Sequence, residues 1–457
     1  MLTRSNGTQI KVHYITIEDL VPSGHLLRQI EYLIDFSFIY DEVKNLYSIN
    51  FGRPGIDPVV LVKYLLIGFL YGIESERRIE QEIQVNVAYR WFLGLDLDGK
   101  VPDHSTISQN RRRRFNGQNF FRKLFEQVLY LCMDSGLVEG KVILTDSTHI
   151  KANASRKSER KIWVEQETHN FMERLDRQEA IERERLEHEK GLPPKREKRI
   201  FKPKPKVQKI VSSTDPDAGF LVRRGKPLGM HYLSHQSLDS ANGIIVDVAV
   251  TPGNVNDCIP YLDRMDYITD HIGLPVEKAG VDGAYDRTLI HKELADKNIV
   301  MYTPPDKNTG GGCKVQIDRT NFQYDELSDT FTCPMGKRLR LRNLERSDGL
   351  MKAYKADRKD CRICSKRDLC VCASGNERTL RVNVFENAVK QNRERDGSPE
   401  HQQILNLRQI WCEGTFAAQK RNHNLRQLFR VGIEAAETHG LLSATALNIR
   451  RMVKYLT

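Results

Sequence analysis

The chain has 457 residues, of which 39% are hydrophobic and 29% are charged. This balance is typical of a folded protein of two to four domains and excludes a largely disordered chain. The formal net charge is +11, from 71 basic and 60 acidic residues. Such a surplus of Lys and Arg favours a polyanionic partner such as nucleic acid, although a merely basic enzyme would have the same composition.

No segment predicts secretion or insertion into a membrane. The first residues lack the apolar core of a signal peptide, and the longest apolar run, residues 59–73, is interrupted by Lys63 and too short to cross a bilayer. We therefore expect a cytoplasmic protein with no membrane partner. Its nine Cys residues are then predicted to be reduced thiols or metal ligands, not disulfides.

Residues 1–135 are predicted to form an all-helical N-terminal domain. Pro58 precedes an apolar segment and suits the first position of a helix. Residues 103–106 offer capping side chains before a basic helix that contains Arg111 to Arg114. Short helices that end in such a run are typical of a helix-turn-helix-like DNA-binding region. They fit a helical oligomerisation domain with a solvated Arg face equally well.

Strand-like segments follow this helical region and predict an α/β catalytic domain over residues 136–457. Residues 141–145, KVILT, form a short β-branched, apolar run that ends at Asp146. Residues 278–281 form a weaker run that leads directly into Asp282. Both runs are typical of buried strands, so each aspartate is expected at the end of a strand.

Two insertions are expected to interrupt this domain. Residues 156–206 are highly charged, and they are predicted to form a solvated helix followed by a basic, extended tail, residues 195–206. Residues 304–400 contain Gly-rich stretches and several Cys residues, which predicts a loop-rich insert. A further strand is expected at residues 243–250, and the C-terminus is expected to be helical.

Acidic residues at strand ends and on a nearby helix suit one chemistry in particular. Phosphoryl transfer between DNA strands needs two divalent cations roughly 3.5–4 Å apart, and converging carboxylates hold them. Asp146 and Asp282 follow strands, and Glu413 lies in a predicted helix with Lys420 two turns further along the same face. By spacing alone, ordinary strand-end aspartates and a surface Glu–Lys pair would explain these residues more readily.

Five strings, in chain order, resemble motifs of DDE insertion-sequence transposases. ILTDSTHIKANAS (143–155) is similar to their first-aspartate motif, AGVDGAYD (279–286) to the second, and WCEGTFAAQKRNHNLRQLFRVG (411–432) to the glutamate motif. VPDHSTIS (101–108) resembles part of their helical N-terminal region, and VTPGNVND (250–257) resembles the turn after their third strand. The group most resembled, over nearly the whole chain, is the insertion-sequence eleven-eighty-two group of the insertion-sequence-four-like superfamily.

This resemblance implies an α/β fold with an RNase-H-like catalytic core. Such a core is a mixed sheet flanked by helices, with the first Asp on strand one, the second on strand four and the Glu on a late helix. The resemblance implies that Asp146, Asp282 and Glu413 bind two Mg²⁺ or Mn²⁺ ions. The implied partners are double-stranded DNA, as the terminal inverted repeats of a mobile element and target DNA, and a second copy of the chain. A bacterial, nucleoid-associated location follows.

Basic residues near the three carboxylates and in the N-terminal region are predicted to contact DNA. The resemblance implies this role for Lys420, and charge and position extend it to neighbouring residues. The full predicted set is Lys420, Arg421, Arg426, Arg408, Lys151, Arg111, Arg112 and Arg113.

One departure from the resembled superfamily concerns its Tyr-x2-Arg-x3-Glu-x6-Lys motif. The Glu-x6-Lys half is present, but Asn406 and Gln409 occupy the Tyr and Arg positions. The nearest arginine, Arg408, is five residues before Glu413, which predicts that it lies on the flank of an α-helix and not on the glutamate's face. The departure leaves open whether such a pair handles the cut DNA end and whether a hairpin intermediate forms.

The clustered Cys residues suggest a structural metal site. Cys361 and Cys364 form a Cys-x2-Cys knuckle, and the second pair is Cys370-x-Cys372, which is less usual. The predicted zinc ligands are Cys333, Cys361, Cys364 and Cys370, with Cys372 as the alternative to Cys370. A set of reduced thiols explains the cluster equally well, and an iron–sulfur cluster is the less favoured alternative. Cys412 is predicted to be a small buried residue.

Two other functions fit the same sequence. An RNase-H-like nuclease would cut DNA without joining it, and a domesticated DNA-binding protein would keep the fold without turnover. Retention of all three carboxylates argues against domestication, and joining of labelled DNA ends distinguishes a transposase from a nuclease.

Overall fold

The computed structural model describes residues 14–47, 55–115, 119–165, 170–192, 206–223, 225, 227–304, 315–347, 349–372 and 375–457. The fold is mixed α/β, with a helical N-terminal region and a central mixed sheet. These features confirm the predicted α/β class, the helical N-terminal region and the mixed sheet. No helix in these ranges is both long and apolar enough to span a membrane.

The described N-terminal region is helical, as predicted. Pro58 occupies the first turn of its helix and Asp57 caps it, while Asp103 caps a later helix by accepting the N–H groups of Ser105 and Thr106. A π turn, Arg111–Phe115, follows that later helix. The helices are α1 Ile17–Leu20, α2 Leu26–Leu33, α3 Phe38–Val43, α4 Pro58–Leu70, α5 Glu76–Val85, α6 Val87–Phe92, α7 His104–Asn110 and α8 Phe120–Asp134.

The central sheet is built around one long strand with an antiparallel neighbour on one side and a parallel neighbour on the other. In chain order its strands are β1 Val142–Lys151, β4 Gly219–Leu221, β5 Gly229–Asp239, β6 Ile245–Pro252, β7 Lys278–Gly280 and β8 Val300–Tyr302. β5 pairs antiparallel with β1, and both β4 and β6 pair antiparallel with β5. On the other side β7 pairs parallel with β1, and β8 parallel with β7.

Strand β1 is longer than the sequence predicts. The prediction that it ends at Asp146 is wrong, because the strand continues for five residues to Lys151. The polar segment Asp146 to His149 remains extended because β5 pairs with it residue by residue, from Ile143 opposite Asp239 to Lys151 opposite His231. Hydrogen bonding to β5 therefore keeps this segment in the strand even though its sequence lacks an apolar pattern.

The charged insert is a ribbon and a helix rather than a single helix. Residues predicted to start the helix instead form β2, Glu159–Glu165, which pairs antiparallel with β3, Lys206–Ser212. In the sequence, the helix α9, Asn170–Lys190, comes between these two paired strands. The β-branched residues Ile162 and Val164 and the aromatic Trp163 between them favour a strand here. The predicted extended tail, residues 195–206, lies outside the described residues except for its last position.

The second insert is also more regular than predicted. Between residues 315 and 383 the described chain forms a five-stranded antiparallel sheet in the order β13-β12-β11-β10-β9, with its own apolar core around Phe331 and Tyr354. Its elements are β9 Gln323–Asp325, β10 Thr330–Thr332, β11 Arg338–Ser347, β12 Gly349–Lys355, α12 Arg358–Arg362, α13 Arg367–Cys370 and β13 Thr379–Asn383.

Helices from the C-terminal half cover the central sheet. They are α10 Tyr261–Asp266, α11 Thr288–Asp296, α14 Glu386–Arg393, α15 Pro399–Arg408, α16 Gly414–Asn422 and α17 Ile433–Leu456. Helix α17 packs against β6 and against α2, α4 and α8. One continuous apolar core therefore joins the N-terminal helices to the sheet, from Leu27 to Val453.

A buried ionic network fixes the N-terminal helices to the sheet. Arg122 of α8 lies 3.0 Å from Asp247 of β6 and 2.9 Å from Glu437 of α17, and it also donates to the carbonyl oxygen of Val248. Arg264 of α10 pairs with Asp247 from the other side. Asp247 is only 1% exposed, so removal of its partners leaves a buried charge.

Arg122→Ala should therefore destabilise the protein by about 2 kcal/mol, because Asp247 keeps Arg264 but loses its second cationic partner, and the carbonyl oxygen of Val248 loses a donor. Urea unfolding of the variant and the wild type measures this difference. The adjacent Lys123→Ala is the matched control, since Lys123 pairs with Glu42 at a more exposed position and such pairs contribute at most about 1 kcal/mol. Equal effects of the two substitutions would contradict the assigned network.

Candidate active site

One aspartate lies on the central strand, and a second lies just past the end of its parallel neighbour. Leu144 of β1 pairs with Gly280 of β7, and Asp146 and Asp282 each follow two residues later. Neighbouring strands are roughly 4.8 Å apart, so this register places both carboxylates at the same level. The parallel pairing of β1 with β7 therefore brings Asp146 and Asp282, which are far apart in the sequence, close together.

Gly280 allows a helix to pack closely against this part of the sheet. A Cβ atom at Gly280 would lie 2.7 Å from Cγ2 of Ile404 and 2.9 Å from Cδ2 of Leu144, both of which are too close. Helix α15 can therefore approach β7 only because this residue has no side chain. The close approach sets the distance between α15 and the two aspartates.

Burial and mutual repulsion raise the pKa values of both aspartates. Burial raises the pKa of Asp146 to about 6, against the opposing charge of Arg408, and the negative charges of Asp282 and Asp257 add to the rise. Burial likewise raises the pKa of Asp282, with Asp257 contributing. A partly buried group of like charges is a site where a cation binds favourably.

A π turn directs Arg408 toward this group. The turn, Gln409–Glu413, joins α15 to α16. In an α-helix, residues five apart differ by roughly 140° in direction, but in a π turn they are hydrogen-bonding neighbours and lie one above the other. The prediction that Arg408 lies on the flank is therefore wrong. Its Nη1 lies 2.7 Å from Oδ2 of Asp146.

Glu413 lies at the end of the same π turn and is exposed. Cys412, fully buried as predicted, lies between it and the sheet. Burial raises the pKa of the Cys412 thiol, and the charges of Asp146 and Glu413 both add to that rise. Asp146 and Glu413 therefore both lie within electrostatic range of the Cys412 thiol.

Four predicted DNA contacts lie near the C-terminal end of β1. Lys151 and Lys420 both lower the pKa of His231, after the effect of burial, so the two cations surround one imidazole. The backbone N–H of Lys151 donates to the carbonyl oxygen of Arg426 at 3.2 Å. Arg421 and Arg426 are exposed. These four basic residues therefore all belong to the region around the C-terminal end of β1.

The three predicted arginines of the N-terminal region differ from one another. Arg112 and Arg113 are exposed within the π turn that follows α7. Arg111 is only 6% exposed and forms an ion pair with Glu76. Its side chain packs inside the helical region, so only its two neighbours are available to a polyanion.

The sequence did not reveal a further acidic residue of this group, Asp257. It follows β6, at the end of the VTPGNVND string, which was interpreted only as a turn. The Ser147 hydroxyl donates to its Oδ1 at 2.9 Å, and Nη1 of Arg223 lies 3.1 Å from its Oδ2. No strand pattern precedes Asp257, so only that string marked it in advance.

The residues present fit a divalent metal ion. Asp146, Asp282 and Glu413 offer hard carboxylate oxygens, the ligand type that Mg²⁺ prefers, and burial beside other carboxylates raises the pKa values of both aspartates. Among the described residues, Glu80, Asp103 and His104 are the one group whose ligand atoms all lie within 4.8 Å of one another, so the oxygens of Asp146, Asp282 and Glu413 would have to move together on binding a metal ion. The group around Glu80 is explained by a 2.7 Å His104–Glu80 hydrogen bond and by the cap that Asp103 provides for α7.

Four cysteines meet in the second insert, as predicted. Cys333, Cys361, Cys364 and Cys370 line one cavity beside Arg378. The first three raise the pKa of Cys370, after the effect of burial. In the described part of the chain no three of their sulfurs lie within 4.8 Å of one another, whereas sulfurs around zinc are roughly 3.8 Å apart.

Cys372 is disulfide-bonded. The prediction that all cysteines are reduced thiols or metal ligands is therefore wrong at this position, and Cys372 is excluded as the alternative to Cys370. The other cysteines that the structure describes are free.

Two protein-family models match the chain. Residues 15–113 match a family described as a transposase domain (DUF772), and residues 332–453 match one described as a transposase DDE domain. The chain is a DDE transposase. The second match contains Glu413 and Lys420, whereas Asp146 and Asp282 lie between the two matched segments.

No curated protein matches the transposase sequence. Among solved structures, a cryo-EM structure of the piggyBac transposase synaptic complex with hairpin DNA is similar over 94% of this chain and 82% of that chain. The TM-score is 0.27 and the sequence identity 9%, values too low to support a structural argument.

In EDTA, the transposase should lose stability as the pH rises through the pKa of Asp146. Because the pKa is raised from 3.8 to about 6, the contribution of this group is fully present below about pH 4 and lost between about pH 4 and 6. Asp146→Asn removes the titrating group, so the melting temperature of the variant should fall less across this window. Thermal melts of both proteins measure the difference.

The control is Asp134→Asn, at the exposed C-terminal end of α8. Its melting temperature should vary with pH as that of the wild type does. Parallel profiles for the wild type and Asp146→Asn would contradict the assigned burial of Asp146.

Proposed function

We propose that this DNA transposase cuts the ends of a mobile element and joins them to target DNA by metal-dependent phosphoryl transfer. The observation that carries the proposal is the in-register pairing of β1 and β7, which brings Asp146 and Asp282 together. Arg408, at the start of the π turn that ends at Glu413, forms an ion pair with Asp146. An acidic centre with basic residues around it suits a reaction in which a polyanion is the substrate.

An RNase-H-like core is part of this proposal. The first aspartate lies on the first strand of the central sheet, the second follows the strand that pairs parallel with it, and the glutamate lies on a late helical segment. These positions support the proposal, although the resemblance implies the second aspartate on the fourth strand, and β7 is the fifth strand of the central sheet in chain order. Assignment to the insertion-sequence eleven-eighty-two group rests on the five resembling strings.

Asp146, Asp282 and Glu413 would hold two Mg²⁺ or Mn²⁺ ions. When bound, such ions supply charge stabilisation to the attacking and leaving oxygens of a phosphodiester. Arg408 holds one oxygen of Asp146 at 2.7 Å and so limits the rotamers of that carboxylate. Lys420, two helical turns beyond Glu413, provides a point charge for a phosphate beside the metal site.

Double-stranded DNA, as element ends and target, is the proposed substrate. Lys151, Lys420, Arg421 and Arg426 provide a basic surface near the end of β1, and Arg112 and Arg113 a second one. Two DNA ends must be cut and joined together, so we propose a homodimer on DNA. A location on the bacterial nucleoid follows from that substrate.

The proposal is tested with labelled DNA taken from both sides of the gene, in the presence of Mg²⁺. Asp146→Asn, Asp282→Asn and Glu413→Gln should each reduce cleavage and joining by at least about a hundredfold, because loss of a metal ligand removes several kcal/mol of charge stabilisation. Asp263→Asn, at a half-exposed position of α10, should remain active.

Three results would change the assignment. Cleavage that survives all three substitutions would show that the active site is elsewhere. Cleavage without a joined product under Mg²⁺ or Mn²⁺ would favour a nuclease. DNA binding without any cleavage would favour a domesticated DNA-binding protein.

We further propose that Cys333, Cys361, Cys364 and Cys370 bind a structural Zn²⁺. Their shared cavity and the position of Cys361 and Cys364 around α12 support this, and the sulfurs would have to move together on binding. The core of the five-stranded sheet lies beside them, so the metal would fix the α12–α13 segment to that sheet.

Metal analysis should find about one equivalent of zinc per purified chain, and Cys361→Ser should lose it. Cys132→Ser, at a buried position in α8 outside the cluster, is the control and should keep its zinc. Less than about half an equivalent in the wild type would count against the site.

A further inference from the structure

Asp257 is a buried acid that the proposed reaction does not yet use. It lies in the turn between β6 and α10 and is 5% exposed. Both of its carboxylate oxygens are engaged, one by the hydroxyl of Ser147 and the other by the guanidinium of Arg223. A buried carboxylate with this much support has a fixed orientation.

Asp257 is connected to the carboxylates of the active site. Ser147, which donates to Asp257, is the residue next to Asp146, and its backbone N–H donates to Oδ1 of Asp146 at 2.8 Å. The charge of Asp257 contributes to the raised pKa values of Asp146 and Asp282. A short chain of contacts thus leads from Asp146 through Ser147 and Asp257 to Arg223.

Arg223 carries unused hydrogen-bond donors into this region. Its side chain is 36% exposed, and in the described part of the chain the structure shows one hydrogen bond from it, to Asp257. A guanidinium has five N–H donors in a planar fork that matches a phosphate group. The positive charge of Arg223 also lowers the pKa of Asp282, so the guanidinium lies within electrostatic range of that carboxylate.

We propose that Asp257 is a positioning residue that holds Arg223 beside Asp282, where the guanidinium binds a phosphate of the DNA. This inference rests on the proposed function and names a contact with its substrate. DNA brings negative charge toward three aspartates, and a fixed guanidinium beside the metal ions and Arg408 reduces the repulsion of the incoming phosphates. An arginine without a buried partner would sample many rotamers and lose entropy on binding.

The test is DNA binding by fluorescence anisotropy, in EDTA, at a series of salt concentrations. The probe is a fluorescent duplex from the DNA that flanks the gene. Each phosphate contact adds about 0.9 to the slope of log affinity against log salt. Arg223→Gln should therefore lower the slope by about one, Asp257→Asn should lower it by part of that, and the double variant should match Arg223→Gln.

Arg185→Gln is the matched control. Arg185 is also a partly exposed arginine with acidic partners, Glu182 and Glu189, but it lies on the acidic helix α9. Its substitution should leave the slope unchanged. A purely structural role of Asp257 would lower the melting temperature of Asp257→Asn without changing the slope, which separates the two roles.

An unchanged slope for Arg223→Gln, with wild-type binding intact, would overturn this inference and leave the proposed function standing. An effect of Arg223→Gln with none for folded Asp257→Asn would overturn the positioning role alone. If Asp257→Asn does not fold, the slope of Arg223→Gln tests the phosphate contact, and Ser147→Ala, which removes the hydroxyl that donates to Asp257, tests the positioning role and should lower the slope by part of the Arg223→Gln effect. Absence of binding by the wild type would contradict the proposed function and this inference together.

Discussion

The central physical constraint of this transposase is the placement of two carboxylates side by side in a partly buried site. Parallel pairing of β1 with β7 produces it, because Leu144 and Gly280 are in register and an aspartate follows each by two residues. Burial and repulsion then disfavour the charged forms of Asp146 and Asp282. The surrounding structure supplies cations and hydrogen-bond donors that offset this cost.

The helical segment from α15 to α16 supplies the first of these partners. Gly280 allows α15 to approach the sheet, and the π turn after it aligns Arg408 with Glu413 despite a spacing of five residues. One extra residue in a helix is commonly accommodated as a π turn, and such turns are frequent at functional sites. Arg408 thus reaches Asp146 although it is one residue away from the arginine position of the resembled motif, and Leu405, three residues before Arg408, does not replace the motif's tyrosine.

Much of this arrangement is predictable from the sequence. The helical N-terminal region, the strand before Asp282 and the buried Cys412 follow from apolar patterning and capping residues. Pairing partners do not: β1 runs past Asp146 because β5 pairs with it, and β2 is a strand because β3 pairs with it. The length of β1 and the strand conformation of β2 both depend on pairing with residues more than forty positions away. Patterns within a short stretch of sequence do not contain that information.

Within the site, the sequence indicated residues that end a strand or belong to a resembling motif. Asp146, Asp282, Glu413 and Lys420 are of this kind, and their catalytic roles remain predictions. Asp257 was missed because its importance comes from Ser147 and Arg223, two partners on other elements. Arg111 was included for its charge alone, although its ion pair with Glu76 buries it.

The most direct measurement of the central claim is calorimetric titration of Mn²⁺ into the wild type and Asp146→Asn, with Asp263→Asn as the control. If Asp146 and Asp282 form one metal site, the wild type and the control bind Mn²⁺ with the same affinity, and Asp146→Asn loses that binding. Asp282→Asn should lose it as well, because the two carboxylates act together. Wild-type affinity in either of these two variants would contradict the account.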